Sequence, residues 1–212
     1  LVIDGAMSTP LEAAGLNLND TLWSAKALLE CPDLVRKVHY DYYAAGANAV
    51  EACSYQATEA AFARKGIEKA EASRLIRLSG ELVREAKNDA LLEHPEWDPA
   101  DLLTAGSIGP YGAYLADGSE YTGAYDLTRE EYYAFHQLRL DELLNSGMDI
   151  LAIETQPRFD EIEALLAMIA ERDITCWVTV TLKDGDMPDG TKLEVLAKCL
   201  DADPHVEAFG FN

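Results

Sequence analysis

The sequence predicts an α/β fold of the (β/α)8 TIM-barrel class, with about six of the eight strands present in this chain. Three observations carry that expectation. Short apolar runs alternate with amphipathic stretches along the whole chain, as parallel strands joined by crossover helices require. Polar or aromatic residues recur at the C-terminal ends of those runs (Asp4, Tyr55, Ser107, Glu154 and Asn212), where a barrel assembles its active site. Finally, Asp4-Gly5-Ala6-Met7-Ser8-Thr9 after the first run has one glycine and cannot cradle a pyrophosphate as GxGxxG does, which argues against a dinucleotide-binding open sheet.

In chain order, strands are expected over Leu1 to Asp4, Ala47 to Ser54, Leu102 to Ser107, Asp149 to Glu154, Cys176 to Thr181 and Val206 to Asn212. Helices are expected at about Pro32 to Ala45, Lys69 to Leu92, Thr128 to Ser146, Phe159 to Arg172 and Lys192 to Leu200. Thr128-Arg129-Glu130-Glu131 reads as a capping box, and Gly46 and Gly147 stand where a helix end calls for a left-handed residue. The polar connection from Leu92 to Asp101 is expected to cross the bottom of the sheet. The last strand, ending Phe209-Gly210-Phe211-Asn212, has no helix after it, so the expectation is six strands of eight, with the C-terminal part of the barrel lying beyond.

Composition narrows the function classes. A chain of 212 residues, 49% hydrophobic, can bury a core, and its length favours one domain spanning 1–212. Its 38 acidic against 17 basic residues give a formal net charge of -21, which repels nucleic-acid phosphates and anionic membranes. Cys31, Cys53, Cys176 and Cys199 form neither a CxxC pair nor a dense disulfide framework and read as reduced thiols. No apolar run approaches the ~18 residues of a membrane span. These readings together give a cytoplasmic expectation.

Asp4 and Glu154 each directly follow an apolar strand. Burial without a partner costs a carboxylate several kcal/mol, so both should face the mouth, and with no cationic neighbour in sequence they suit a cationic ligand such as an α-ammonium. Two carboxylates on barrel strands also serve glycosidases, so the pair alone leaves the reaction open. The stretch from Gly106 to Tyr125 carries four tyrosines and five glycines after the strand and reads as a substrate lid. His39 and His136 sit on amphipathic helices and read as packing residues; Trp177, Cys53 and Cys176 read as core.

Taken together, Asp4 to Thr9, Leu22-Trp23-Ser24-Ala25, His39-Tyr40-Asp41-Tyr42, Ala45-Gly46-Ala47, Ser54-Tyr55-Gln56-Ala57-Thr58, the loop Gly106-Ser107-Ile108-Gly109-Pro110-Tyr111-Gly112-Ala113 and Glu154-Thr155 resemble the homocysteine S-methyltransferase family. The likeness is to its bacterial and plant members, which take the methyl group from S-methylmethionine or S-adenosylmethionine. It implies that Asp4 and Glu154 hold the amino group of L-homocysteine, that the backbones of Gly5 and Ala6 face its carboxylate, and that Trp23 and Tyr55 wall its pocket. Met7, Tyr111 and Tyr114 would shape the donor side. The resemblance also implies zinc, which deprotonates the substrate thiol for in-line attack on a sulfonium methyl group. The family's three cysteine ligands are expected beyond Asn212, and the four cysteines present match none of them, so no catalytic or metal-ligating side chain is assigned within the chain. Glu51-Ala52 and Gln156 depart from the small hydroxyl or apolar residues usual beside these motifs, which bears on donor choice. Alternatives of the same barrel type are a betaine-type or cobalamin-linked homocysteine methyltransferase module and a non-catalytic amino-acid-binding barrel.

Overall fold

A computed structural model describes all 212 residues. The chain enters along the edge of the sheet and then forms α1 (Ser8–Ala13), a 3-10 turn (Trp23–Lys26), α2 (Ala27–Glu30) and α3 (Pro32–Ala44) before β1 (Ala49–Glu51). Then follow α4 (Glu59–Ala63), α5 (Lys69–Glu93), β2 (Leu103–Ile108), α6 (Tyr111–Leu115), α7 (Ser119–Thr122), α8 (Arg129–Asn145) and β3 (Ile150–Gln156). The chain finishes with α9 (Phe159–Ala170), β4 (Cys176–Val180), α10 (Leu193–Ala202) and β5 (Val206–Phe211). The five strands form one sheet in the order β1-β2-β3-β4-β5, every neighbouring pair parallel. No strand order reverses, so the crevice that marks a doubly wound sheet is absent.

The expected first strand is reduced to a single parallel bridge between Ile3 and Ala49, with the Asp4 N–H donating to the Ala49 carbonyl. The reason is that Leu1, Val2 and Ile3 lie exposed on the sheet edge with a neighbour on one side only. Five short helices in expected loops were missed, since pieces of four to six residues carry too little periodicity to read. The local signals were sound where present. Thr128 and Glu131 cap α8 reciprocally, the Glu131 N–H reaching Thr128 Oγ1 at 3.3 Å and the Thr128 N–H reaching Glu131 Oε2 at 2.7 Å. Gly46 and Gly147 adopt φ of 103° and 82°.

The sheet has two buried faces of different character. Val50, Leu151, Ile153, Cys176, Val178 and Val180 join the large core under the helices, while Ala49, Ala105, Ile150, Ala152 and Trp177 form a small separate cluster on the other face. Side chains alternate along a strand, so the residues two places beyond Ala49, Ala105 and Ala152 share that second face. These are Glu51, Ser107 and Glu154. The polar mouth thus sits directly above Ala49, Ala105 and Ala152 of that cluster. No helix is long and apolar enough to cross a membrane.

Candidate active site

A cavity of about 710 Å³ opens at the C-terminal ends of the strands. Its wall brings together Asp4, Tyr55, Ser107, Glu154 and Asn212, which are far apart in sequence, and also Gly5, Ala6, Met7 and Trp23. Tyr111 and Tyr114 do not line it. The expected lid folds into α6 and α7. Positions i and i+3 of α6 place both tyrosines on the face that packs against Phe135 of α8, at ring separations of 4.9 and 5.6 Å. The cavity side of this segment is made instead by Ala116, Gly118, Glu120 and Tyr121.

Three carboxyl groups converge in the cavity. Asp4 accepts from the Glu51 N–H through Oδ2 at 3.1 Å, while its Oδ1 is buried without a partner. Burial pushes the Asp4 carboxyl up to about 7, the Glu51 N–H pulls it back, and the nearby Glu154 charge adds to the rise. Glu154 is also raised by burial, a rise opposed by the polar groups of Ser107 and Glu51 and by the charge of Arg139, and its Oε1 has no partner. Glu51 is held well above the ordinary carboxylate range by burial first and by the charges of Glu154 and Asp4 after it. Around them, the N–H groups of Gly5 and Ala6 make no hydrogen bond within the chain. Trp23 meets Tyr55 edge-on at 6.3 Å. Such a site offers acceptors to a cation and, beside them, donors to an anion.

The backbone is strained where it aims these groups. Of the five non-glycine residues with positive φ, Trp23 (44°), Ala116 (57°) and Thr155 (56°) line the cavity. A β-branched residue in this region is a marked outlier, with a cost on the order of 1–3 kcal/mol. Thr155 sits in the register shift between Ile153 and Gln156 and is tied down on both sides: its N–H donates to Thr179 Oγ1 at 3.1 Å, and Asn212 Nδ2 donates to its hydroxyl at 3.2 Å. The irregularity lies immediately after Glu154.

Behind Tyr55, the fully buried Arg139 of α8 joins two loops, donating to the Tyr55 carbonyl and to the Gly109 carbonyl, both at 2.6 Å. His136 Nδ1 accepts from Arg139 at 2.8 Å, so its Nε2–H is left to donate to Glu161, also at 2.8 Å. Glu161 in turn accepts from the Tyr111 N–H and the Tyr125 hydroxyl. His136 is thus a neutral structural link. His39 is buried with both ring nitrogens unpaired, and burial lowers it to about 3. Glu120, Asp20 and Cys53 also line the cavity, where sequence reasoning assigned them no role, and so does Glu51, which the sequence marked only as a departure bearing on donor choice. Glu51 was within reach of the strand-end argument used for Asp4 and Glu154, but the expected strand ran on to Ser54 and placed it mid-strand.

Comparison with known proteins bears directly on this site. The sequence pattern of the family described as Homocysteine S-methyltransferase matches residues 1–212. The chain belongs to that family. Relatives within it include the Homocysteine S-methyltransferase of Escherichia coli (strain K12), 50% identical with all of this chain and 68% of the relative covered. Another is Homocysteine S-methyltransferase YbgG of Bacillus subtilis (strain 168), 45% identical at the same coverages. Among solved structures, the metallated form of the homocysteine methyltransferase MmuM from Escherichia coli superposes with a TM-score of 0.95 at 50% identity, covering all of this chain and 74% of the other. Family membership thus attaches to the fold that carries the three-carboxylate cavity.

Proposed function

We propose that this protein is a homocysteine S-methyltransferase that seats the ammonium of L-homocysteine between Asp4 and Glu154, and its carboxylate against the N–H groups of Gly5 and Ala6. The observation that carries the reading is the pair of partnerless carboxylate oxygens, Asp4 Oδ1 and Glu154 Oε1, in one cavity. An ammonium has three donors and supplies what both lack. Trp23 and Tyr55 then wall the substrate, and Met7 stands on the donor side, where a sulfonium such as S-methylmethionine or S-adenosylmethionine delivers the methyl group. The separate buried cluster beneath the cavity and the unreversed parallel strand order support a (β/α)8 barrel closed around it.

Zinc, which the resemblance implies, does not fit the residues in hand. No group of three or more His, Cys, Asp or Glu side chains is placed to hold a metal ion. Cys53 alone among the cysteines lines the cavity; its thiol donates to the Ser24 carbonyl at 3.3 Å, and burial raises it to about 12. The part assigned to these residues is therefore binding and alignment of nucleophile and donor, whose contribution to rate can be large.

The test is Glu154→Gln, which keeps the shape and removes the charge. A hydrogen bond to a charged group contributes roughly 1.5–3 kcal/mol, so KM for homocysteine should rise about 10- to 150-fold with a smaller change in the donor KM. Unchanged homocysteine kinetics would refute the assignment.

A further inference from the structure

Glu51 shares its cavity with both arms of the clamp. Its N–H donates to Asp4 Oδ2 at 3.1 Å, and its carboxyl group lines the same cavity as that of Glu154, whose Oε1 is buried without a partner. Carboxyl groups buried in one cavity without a cation keep a proton among them, because ionising all of them sets like charges against one another. No cation is in place to substitute for that proton. Arg139 of α8 directs its guanidinium to backbone carbonyls and His136, and Lys65 pairs with Asp20 at 2.9 Å. The other groups facing the cluster are neutral or acidic: the Ser107 hydroxyl from β2, Tyr42 from α3 beside Asp4, and Glu120 of α7, whose Oε2 is itself buried without a partner.

We propose that Glu51 is a positioning residue of the ammonium clamp: in the empty site it holds Glu154 through a shared proton, and it releases that proton to solvent when an amino-acid ammonium binds. The inference rests on the reading of Asp4 and Glu154 as that clamp. The exchange balances, one positive charge entering as R–NH3+ and one leaving as H+, with no other bond made or broken. An ammonium has three donors, and the cavity offers it three carboxyl groups; a cation within about 4–6 Å favours the ionised form of each. Burial and the neighbouring charges that keep Glu51 protonated in the empty site are offset once the cation is seated.

The experiment is calorimetric titration with L-methionine, which carries the ammonium and carboxylate of the substrate but no thiol to titrate. It is run at pH 8 in two buffers of different ionisation heat, on the parent and on Glu51→Gln. At that pH Asp4, raised to about 7, is already ionised roughly tenfold over its protonated form. The ligand's own amine contributes equally to both proteins, so the difference between them reads the Glu51–Glu154 pair. The parent should release most of one proton more per bound methionine than the variant, and its affinity should rise with pH more steeply by up to about tenfold per unit. Equal release by the two proteins, or parent binding heats that do not depend on buffer, would overturn the proposal while leaving the clamp intact. The second of these readouts needs no variant. Failure of the parent to bind methionine would remove the clamp reading and this one together.

Discussion

Replacing Asp4 with asparagine removes one charge from a buried cluster of three carboxyl groups while keeping its outline. In the folded chain the Asp4 carboxyl lies at about 7 against an ordinary value of 3.8. Its folded-state value is raised, so the associated stability is fully present below about 3.8 and is lost as pH rises towards 7. The loss reaches ~4 kcal/mol at most, from the size of that rise. Asparagine carries no such dependence, and its Oδ1 can still accept from the Glu51 N–H. Its amide would also donate towards the neighbouring acids. Asp4→Asn should therefore be more stable than the parent by about 1–3 kcal/mol at pH 8, or roughly 2–10 °C in Tm for a chain of this size. The advantage should shrink steadily below pH 7 and vanish near pH 4. Homocysteine KM should move the other way and rise at least about tenfold, since one arm of the clamp has lost its charge. Thermal melts at pH 4, 6 and 8 beside homocysteine kinetics decide it. A variant no more stable than the parent at pH 8, or one that binds homocysteine equally well, would show that Asp4 is not a buried charge kept for a cationic ligand.

Two further outcomes test the geometry of the mouth. A Cβ added at Gly109 would lie 2.6 Å from the Tyr55 carbonyl oxygen and 2.8 Å from its ring. Gly109→Ala should therefore displace Tyr55, cost about 1–3 kcal/mol in a denaturant titration, and raise homocysteine KM. Tyr111→Leu should cost stability through its packing on Phe135 and Tyr125 but leave homocysteine KM within about twofold, whereas Tyr121→Ala on the cavity wall should alter the kinetics more than the melting temperature. The reverse pattern in the tyrosine pair would place the wrong face of the loop towards substrate.

The alternation of apolar runs with amphipathic stretches was enough to read β2 to β5 and the five longer helices, because burial on both faces of a parallel strand and on one face of a helix leaves different periods in the sequence. Asp4 and Glu154 were legible for the same reason: a carboxylate at the end of an apolar strand has nowhere to go but the mouth. What failed was what depends on neighbours in space. The Leu1–Ile3 segment reads as a strand but has one partner only. Tyr111 and Tyr114 read as cavity residues, until α6 turns both rings towards α8. Glu51 read as a departure from the motif beside the pocket, and only the folded chain puts its side chain in one cavity with Asp4 and Glu154.

Arg139 has a mechanical consequence. By gripping the Tyr55 and Gly109 carbonyls from within the core, it makes the loops after β1 and β2 one stiff half-collar, and Glu161 extends the tie to Tyr111 and Tyr125. Parting these loops would strand a buried guanidinium, which costs several kcal/mol. The opposite half of the rim, from Leu18 to Trp23, is held by a 3-10 turn and by the partly exposed Lys65–Asp20 pair, a kind worth about 0–1 kcal/mol, and Trp23 stands 36% exposed upon it. One side of the mouth is thus anchored in the core, while the other is held by contacts of the kind that contribute little to stability.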